Sequence, residues 1–115
     1  MLLYLWGMRI RAAHSHHAIT KRDHRIAELS NALAHPVRVA LVRYLREKNG
    51  GQGVDNVTCN KDLVALFGYS QSAISQHVKI LKNCGLFLTE KKDKFTHYFL
   101  NQKLLAEYRE LIRFA

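Results

Sequence analysis

The segment that most constrains this chain spans residues 68–86, with the sequence GYSQSAISQHVKILKNCGL. It predicts a tight turn and then a helix, because at about 100° per residue its side chains divide into two faces. The apolar face, which we expect to be buried, holds Ala73, Ile74, Val78 and Leu81. The opposite face is small, polar and basic: Ser72, Ser75, Gln76, Lys79 and Asn83. Such a helix packs on one side and presents hydrogen-bonding groups on the other.

The polar face of this helix suits contact with a nucleic-acid duplex. Glutamine, serine, asparagine and lysine side chains reach base edges and phosphates in a major groove. A glycine turn before the helix has the spacing of a helix-turn-helix motif, so the helix is predicted to be its recognition helix. His77, next to Gln76, is predicted to join this contact. The candidate DNA-binding residues on this element are Ser70, Gln71, Ser72, Ser75, Gln76, His77, Lys79 and Lys82.

The charge of the chain also favours an anionic partner. Among 115 residues there are 18 Lys and Arg against 9 Asp and Glu, a formal net charge of +9. An excess of this size, spread along the chain, is typical of proteins that bind nucleic acid. The length suits one domain with one core, which we expect at residues 21–115 after an N-terminal arm at residues 1–20.

The first residues do not indicate export or a membrane span. The apolar run MLLYLW is too short to cross a bilayer, and it lacks the flanks of a signal peptide. Met8 is an alternative start of the protein. Cys59 and Cys84 are expected to be reduced thiols in the absence of a secretory signal. We therefore expect a cytoplasmic location and no membrane partner.

Two helices are predicted before the recognition motif. The first begins near Asp23 as its cap and ends at Ala34-His35, because the residue before Pro36 is disfavoured in the helical region. Pro36 then opens the second helix, where a proline is tolerated in the first turn. The buried positions expected on the second helix are Val37, Leu41, Val42 and Leu45.

A third, short helix is predicted to follow a glycine-rich loop. Its cap is expected to be Thr58 or Asn60, and Gly68 ends it in a left-handed conformation. Ser70 is then expected to cap the recognition helix. The apolar positions expected on this helix are Leu63, Val64, Leu66 and Phe67.

The pattern after Gly85 predicts a β-hairpin and a last helix. The apolar period changes from about 3.6 to about 2 residues, which indicates strands at residues 86–90 and 95–100. Asn101 caps a final helix over residues 102–114, whose broad apolar face, with the first helix, predicts a dimer interface. The charged turn between the strands, expected to contact the DNA backbone, contains Lys91, Lys92 and Lys94. The expected fold is mainly α with a small hairpin, an α+β winged helix-turn-helix.

These segments resemble the ArsR/SmtB family of winged-helix bacterial repressors. The resemblance is carried by ALAHPVR at residues 32–38, Asp62-Leu63, SQSAISQHVKIL at residues 70–81, Cys84-Gly85-Leu86 and Tyr98. It extends over roughly residues 25–114, and the run at residues 70–81 is its most specific part.

The resemblance implies a homodimer joined by its terminal helices and bound to an inverted-repeat operator, where it represses transcription. Two-fold symmetry would separate the half-sites by about 34 Å. The residues that match the family's groove-facing positions are Ser72, Ser75, Gln76 and Lys79.

Many members of the family release DNA when a metal binds, and the sequence departs from both of their usual sites. One site needs Cys-x-Cys, but here Cys59 is followed two positions later by Lys61, whose positive charge repels a divalent cation. The other site uses Asp and His on the last helix, and residues 102–114 contain no His. The sequence therefore predicts a regulator that lacks these metal sites and uses no cofactor.

A metal-responsive alternative rests on the histidines of the arm. His14, His16 and His17, with His24 as a further candidate, could join Cys59 across a dimer, and imidazole with thiolate suits Zn²⁺. The competing interpretation is a solvated polar patch beside a half-buried cysteine. We prefer the second, because about four ligands are needed and only Cys59 is anchored.

An enzyme is not predicted, because the sequence shows no nucleophile elbow, paired carboxylates or phosphate-binding loop. Two other classes remain open beside the regulator. One is an architectural or RNA-binding module, although an RNA module would need exposed aromatic side chains for stacking. The other is a protein-interaction domain that uses the wing and the last helix.

Overall fold

The structure is a computed structural model that describes residues 18–48, 58–92 and 94–113. The described residues form five helices: α1 (Lys21–Ala32), α2 (Pro36–Glu47), α3 (Asn60–Phe67), α4 (Gln71–Asn83) and α5 (Gln102–Leu111). They also form three strands: β1 (Thr58–Cys59), β2 (Phe87–Lys92) and β3 (Phe95–Leu100). The α+β fold with a β-hairpin after a helix-turn-helix confirms the predicted winged helix. The glycine-rich loop and most of the N-terminal arm lie outside the described residues.

Helix α1 begins one turn earlier than the sequence predicted. Thr20, not Asp23, is the cap: its hydroxyl accepts a hydrogen bond from the Asp23 backbone N–H at 3.1 Å. Asp23 returns the contact by accepting from the Thr20 backbone N–H at 2.9 Å. The prediction of Asp23 as the cap was wrong because a capping box uses both residues, and only the first lies outside the helix. Helix α1 ends at Ala32, before the predicted Ala34-His35.

Helix α2 follows the prediction closely. Pro36 opens the helix, and the side chain of His35 caps it by accepting from the Val37 backbone N–H at 3.1 Å. The buried positions on α2 are the four predicted ones: Val37, Leu41, Val42 and Leu45. Their spacing places them on one stripe of the helix, which faces the core.

Helix α3 and the strand before it differ from the prediction. Cys59 is the cap of α3, instead of Thr58 or Asn60. Asn60 is already the first residue of the helix, and Thr58 lies further back in strand β1. In that strand Thr58 lies opposite Tyr98 of β3. Leu63 is fully buried as expected, whereas Leu66 is 58% exposed and does not belong to the core.

The hairpin is longer and its turn shorter than predicted. Strand β2 begins at Phe87 and continues through Lys92, so Lys91 and Lys92 lie in the strand and not in the turn. Strand β3 matches the predicted range, and β2 pairs with it in antiparallel register, Lys92 opposite Phe95. The sheet has the order β1-β3-β2, so β3 is its central strand. The wing is therefore joined to the N-terminus of α3 through β1.

Helix α5 closes the fold against α1. Asn101 caps it as predicted, with its Oδ1 accepting from the Leu104 backbone N–H at 3.1 Å. The buried core draws on all five helices and the two long strands, and its fully buried large side chains are Leu29, Leu41, Leu45, Leu63, Ile74, Leu81, Leu86 and Phe87. Cys84 and Tyr98 are also buried. None of the described helices is long and apolar enough to cross a membrane.

Candidate nucleic-acid interface

The turn between α3 and α4 sets the direction of the recognition helix. Gly68 ends α3 with φ at 69°, a left-handed conformation that glycine adopts without a steric penalty from a Cβ. Ser70 then caps α4, because its hydroxyl accepts from the Ala73 backbone N–H at 3.1 Å. The two signals identified in the sequence thus fix where one helix stops and the next begins.

Helix α4 has the two faces that its sequence predicted. Ile74, Val78 and Leu81 are buried and hold the helix on the core. The outward face is exposed and polar along the whole helix: Gln71, Ser72, Ser75, Gln76, Lys79, Lys82 and Asn83. Seven donor or acceptor side chains on one exposed face give α4 the chemistry needed to contact a duplex.

His77 differs from the other candidate residues on α4 because it is half-buried. Its Nδ1 lies 3.2 Å from Nη1 of Arg38 on α2, and its ring centroid lies 4.4 Å from that of His35. Burial lowers the pKa of His77 below its ordinary value of 6.5, and His35 and Arg38 lower it further. The structure thus places His77 between the exposed face of α4 and the start of α2.

The wing carries exposed basic side chains near its tip. Lys91 lies on β2 and Lys94 in the turn, and both are exposed; the side chain of Lys92 lies outside the described part of the chain. Phe95 follows the turn and is 51% exposed. The sequence pattern assigned Phe95 to a strand but did not indicate that its ring reaches solvent.

A groove of about 500 Å³ joins the wing to the recognition helix. Gln71 and Ser75 of α4 line one side, and Lys94 lines the wing side. Lys61, at the start of α3, lines the same groove, although its place in the sequence suggested only that its charge opposes a metal site. In the sequence, Lys61 lies close to the predicted start of α3, and this position was the signal for its place at that end of the helix. The groove therefore combines two lysines with two polar side chains of α4.

Comparisons with known proteins point to one family. A family model described as bacterial regulatory protein, arsR family, matches residues 35–86. The chain is 38% identical over 79 residues to the HTH-type transcriptional repressor SmtB of Mycobacterium tuberculosis, which covers 69% of this chain and 53% of that protein. The chain thus spans about half the length of the curated relatives that it matches.

Solved structures agree with this match in both sequence and fold. A crystal structure of a possible transcriptional regulator for arsenical resistance is 33% identical, covers 71% of this chain and 77% of that chain, and has a TM-score of 0.59. This chain belongs to the ArsR/SmtB family. Reduced HlyU from Vibrio cholerae, 28% identical, covers 81% of this ArsR/SmtB chain and 90% of its own, with a TM-score of 0.61.

The metal hypothesis for this ArsR/SmtB protein is centred on Cys59. Its thiol lies 3.3 Å from Oδ2 of Asp62, and its backbone N–H donates to the same oxygen at 2.9 Å. Within residues 18–48, 58–92 and 94–113, no group of three or more His, Cys, Asp and Glu side chains is arranged to hold a metal ion. His14, His16 and His17 lie outside the described residues, so the alternative that joins them to Cys59 stays a prediction.

The two cysteines are expected to differ in reactivity. Cys84 is buried, its thiol donates to the Leu81 carbonyl oxygen, and burial raises its pKa; Cys59 is only half-buried. Because the thiolate is the reactive form, we expect a thiol reagent to modify Cys59 well before Cys84 in the folded protein. Mass spectrometry of Cys59→Ser and Cys84→Ser variants over a time course measures each rate. Faster modification of Cys84, with the fold intact, would contradict its placement in the core.

Proposed function

We propose that this protein is a homodimeric repressor that binds a specific double-stranded DNA operator through α4. The observation that carries the proposal is the exposed polar face of α4, which stands on a buried apolar face and follows a glycine turn. A helix with this division places its side chains in a major groove while its other face stays in the core. The curated relatives in Mycobacterium tuberculosis are described as repressors, which supports repression as the outcome of binding.

The groove between α4 and the wing supports a separate contact with the phosphate backbone. Lys61 of α3, Lys94 of the wing and Ser75 of α4 all line this groove. Lysine contacts to phosphate increase affinity for any duplex without reading its sequence. In this assignment, α4 determines which DNA is bound, and the wing and the start of α3 strengthen the binding.

Helices α1 and α5 are the proposed dimer surface. They contact each other through the hydroxyls of Ser30 and Tyr108, 2.8 Å apart. A groove of about 630 Å³ beside them has mostly apolar surface together with side chains of both charge signs, and it is lined by Arg22, Lys103, Ala106, Glu107, Glu110 and Leu111. A two-fold interface brings the same patch of both protomers together, so a patch with both signs can pair with itself. Each protomer would then present one α4 to one half of an inverted repeat.

The experiment that tests the function compares two duplexes in the same buffer. Fluorescence polarisation measures the Kd for the DNA upstream of the protein's own gene and the Kd for a scrambled duplex of equal length, both at the same salt concentration. We expect at least about tenfold tighter binding to the upstream duplex, since specific and non-specific affinities differ by about 10³ or more in typical regulators. Equal, salt-sensitive binding to both would favour the architectural alternative, and no binding would favour a protein-interaction domain. Adding Zn²⁺ to the complex tests the metal-responsive alternative.

Replacing Lys94 with glutamine is expected to weaken binding to both duplexes by the same factor. The loss of one phosphate contact should reduce the slope of log K against log salt by about 0.9. Titrations at several salt concentrations measure this slope. Arg46→Gln is the matched control, because it removes an exposed charge on α2 that does not line the groove. An equal change of slope in both variants would show that net charge, and not the groove, explains the effect.

A further inference from the structure

The Arg38 guanidinium connects three parts of the fold. Its Nε donates to the carbonyl oxygen of Ala32 at 2.6 Å, and its Nη2 donates to that of Asn31 at 3.3 Å, both at the C-terminal end of α1. Its Nη1 lies 3.2 Å from Nδ1 of His77 on α4. One side chain of α2 therefore ties the end of α1 to the middle of the recognition helix.

The chemistry of these groups fixes the direction of the contact with His77. A guanidinium has five N–H donors and no acceptor, so Nη1 of Arg38 donates and Nδ1 of His77 accepts. Nδ1 of His77 must then carry a free lone pair, and the ring proton of the neutral imidazole resides on Nε2. A doubly protonated His77 cannot accept this hydrogen bond.

His35 is a second imidazole whose Nδ1 must be unprotonated. Its Nδ1 accepts the Val37 backbone N–H at 3.1 Å, which caps α2, so this nitrogen is also unprotonated. The His35 and His77 rings lie 4.4 Å apart at a tilt of 49°. The caps and contacts around the start of α2 therefore use both imidazoles as acceptors.

We propose that Arg38, His77 and His35 form a joint that positions the recognition helix for its operator, and that the joint holds only while both imidazoles are neutral. The proposal rests on the function proposed above, because it assigns His77 to the placement of α4 and not to a base contact. His77 is half-buried, whereas its neighbour Gln76 is exposed, and Arg38 already occupies its Nδ1.

Protonation of His77 at low pH is expected to break its hydrogen bond with Arg38. The charged group that faces His77 is Arg38 of α2, and His35 adds a titratable ring; α1 contributes only the carbonyl oxygens of Asn31 and Ala32. Among the described residues, no carboxylate forms an ion pair with any of the three side chains. The folded protein holds the pKa of His77 below 6.5, so the unfolded chain binds this proton more readily. The lowered pKa of His77 therefore does not change the free energy of unfolding at pH values well above 6.5. As the pH falls from 6.5 toward the pKa of the folded protein, the free energy of unfolding decreases.

The first test measures the protonation state of His77 in the absence of DNA. Nitrogen-15 NMR of the imidazole rings in the full chain reports the tautomer and the titration of His77. We expect the Nε2–H tautomer near pH 7.5 and a midpoint below 6.5. The Arg38→Lys variant keeps the positive charge but loses the planar guanidinium that contacts α1 and His77 together. The preference of His77 for the Nε2–H tautomer should therefore weaken. An Nδ1–H tautomer in the wild type, or a midpoint above 6.5, would overturn the joint.

The second test measures binding to the operator and to a scrambled duplex. Arg38→Lys and His77→Leu should each lose about two- to tenfold in operator affinity, the effect of one hydrogen bond, with little change on scrambled DNA. The double variant should lose no more than Arg38→Lys alone, because that variant already lacks the contact with His77. His77→Asn, whose Oδ1 can stand in for Nδ1, should retain most of the affinity. Arg43→Lys, an exposed change on the same helix, is the matched control and should have no effect.

A direct contact between His77 and a base gives a different pattern. In that case His77→Asn would lose as much as His77→Leu, Arg38→Lys would lose nothing, and the effects would add in the double variant; this result would overturn the joint. If the wild type binds neither duplex, the proposed function fails, and the NMR result alone then decides whether the joint exists.

Discussion

Replacing Gln76 with alanine is expected to weaken operator binding by about 1–3 kcal/mol, a loss of roughly 5- to 150-fold in affinity. Gln76 is exposed on the outer face of α4, one residue from the half-buried His77 and on the opposite side from the core. A glutamine amide both donates and accepts, so it can make paired hydrogen bonds to the edge of one base. Binding to scrambled DNA should change little, because phosphate contacts carry that affinity.

The controls for Gln76→Ala separate a lost base contact from a general defect. Gln102→Ala removes the same side chain from an exposed position in the first turn of α5 that does not line the groove of the proposed dimer surface. It should bind both duplexes like the wild type. Equal losses on operator and scrambled DNA for Gln76→Ala, measured by fluorescence polarisation at one salt concentration, would reject base recognition by Gln76.

The parts of the fold that the sequence predicted well are those set by local signals. The four buried positions of α2, the Gly68 stop and the Ser70 cap all follow from spacing and capping within one helix or turn. Strand β3 also matched its predicted range, and its last four residues alternate between half-buried and buried positions. In each case the residues that decide the structure lie within a few positions of one another.

The errors arose where a distant partner decides the structure. Thr58 and Cys59 form a strand only because Tyr98 and His97 of β3 lie opposite them, nearly 40 positions later in the chain. Lys91 is in β2, and not in the turn, because pairing with Thr96 extends the hairpin toward its tip. A run of lysines contains no signal for either pairing, so charge alone suggested a longer turn.

The candidate site shows the same division between local and distant information. The helical period separated the exposed and buried faces of α4, and the structure has Ser72, Ser75 and Lys79 on the exposed face. His77 was expected there too, but its surroundings depend on Arg38, which lies 39 positions earlier in the chain. Lys61 likewise gains a role only when α3 and the wing come together around one groove. DNA contact by each candidate residue remains a prediction for the binding experiments.

The largest effect on stability is expected from the opposite face of the same helix. Ile74 is fully buried at the point where α4 rests on the core, so Ile74→Ala should lower the free energy of unfolding by about 2–5 kcal/mol. The loss combines the burial free energy of the removed carbon atoms, which is no longer gained on folding, with the cost of a cavity that the neighbouring side chains fill only partly. Urea denaturation followed by circular dichroism measures the change in midpoint at constant slope.

Helix α4 supplies its own control for this prediction. Ile80 is 37% exposed, so Ile80→Ala removes the same atoms from a partly solvated position and should be clearly less destabilising than Ile74→Ala. If Ile74→Ala were no more destabilising than Ile80→Ala, the assignment of the two faces of α4 would be wrong, and the exposed position of Gln76 would be wrong with it. If the predicted difference is found, the loss of operator binding in Gln76→Ala can be ascribed to contact with DNA, because the packing that holds α4 depends on the other face.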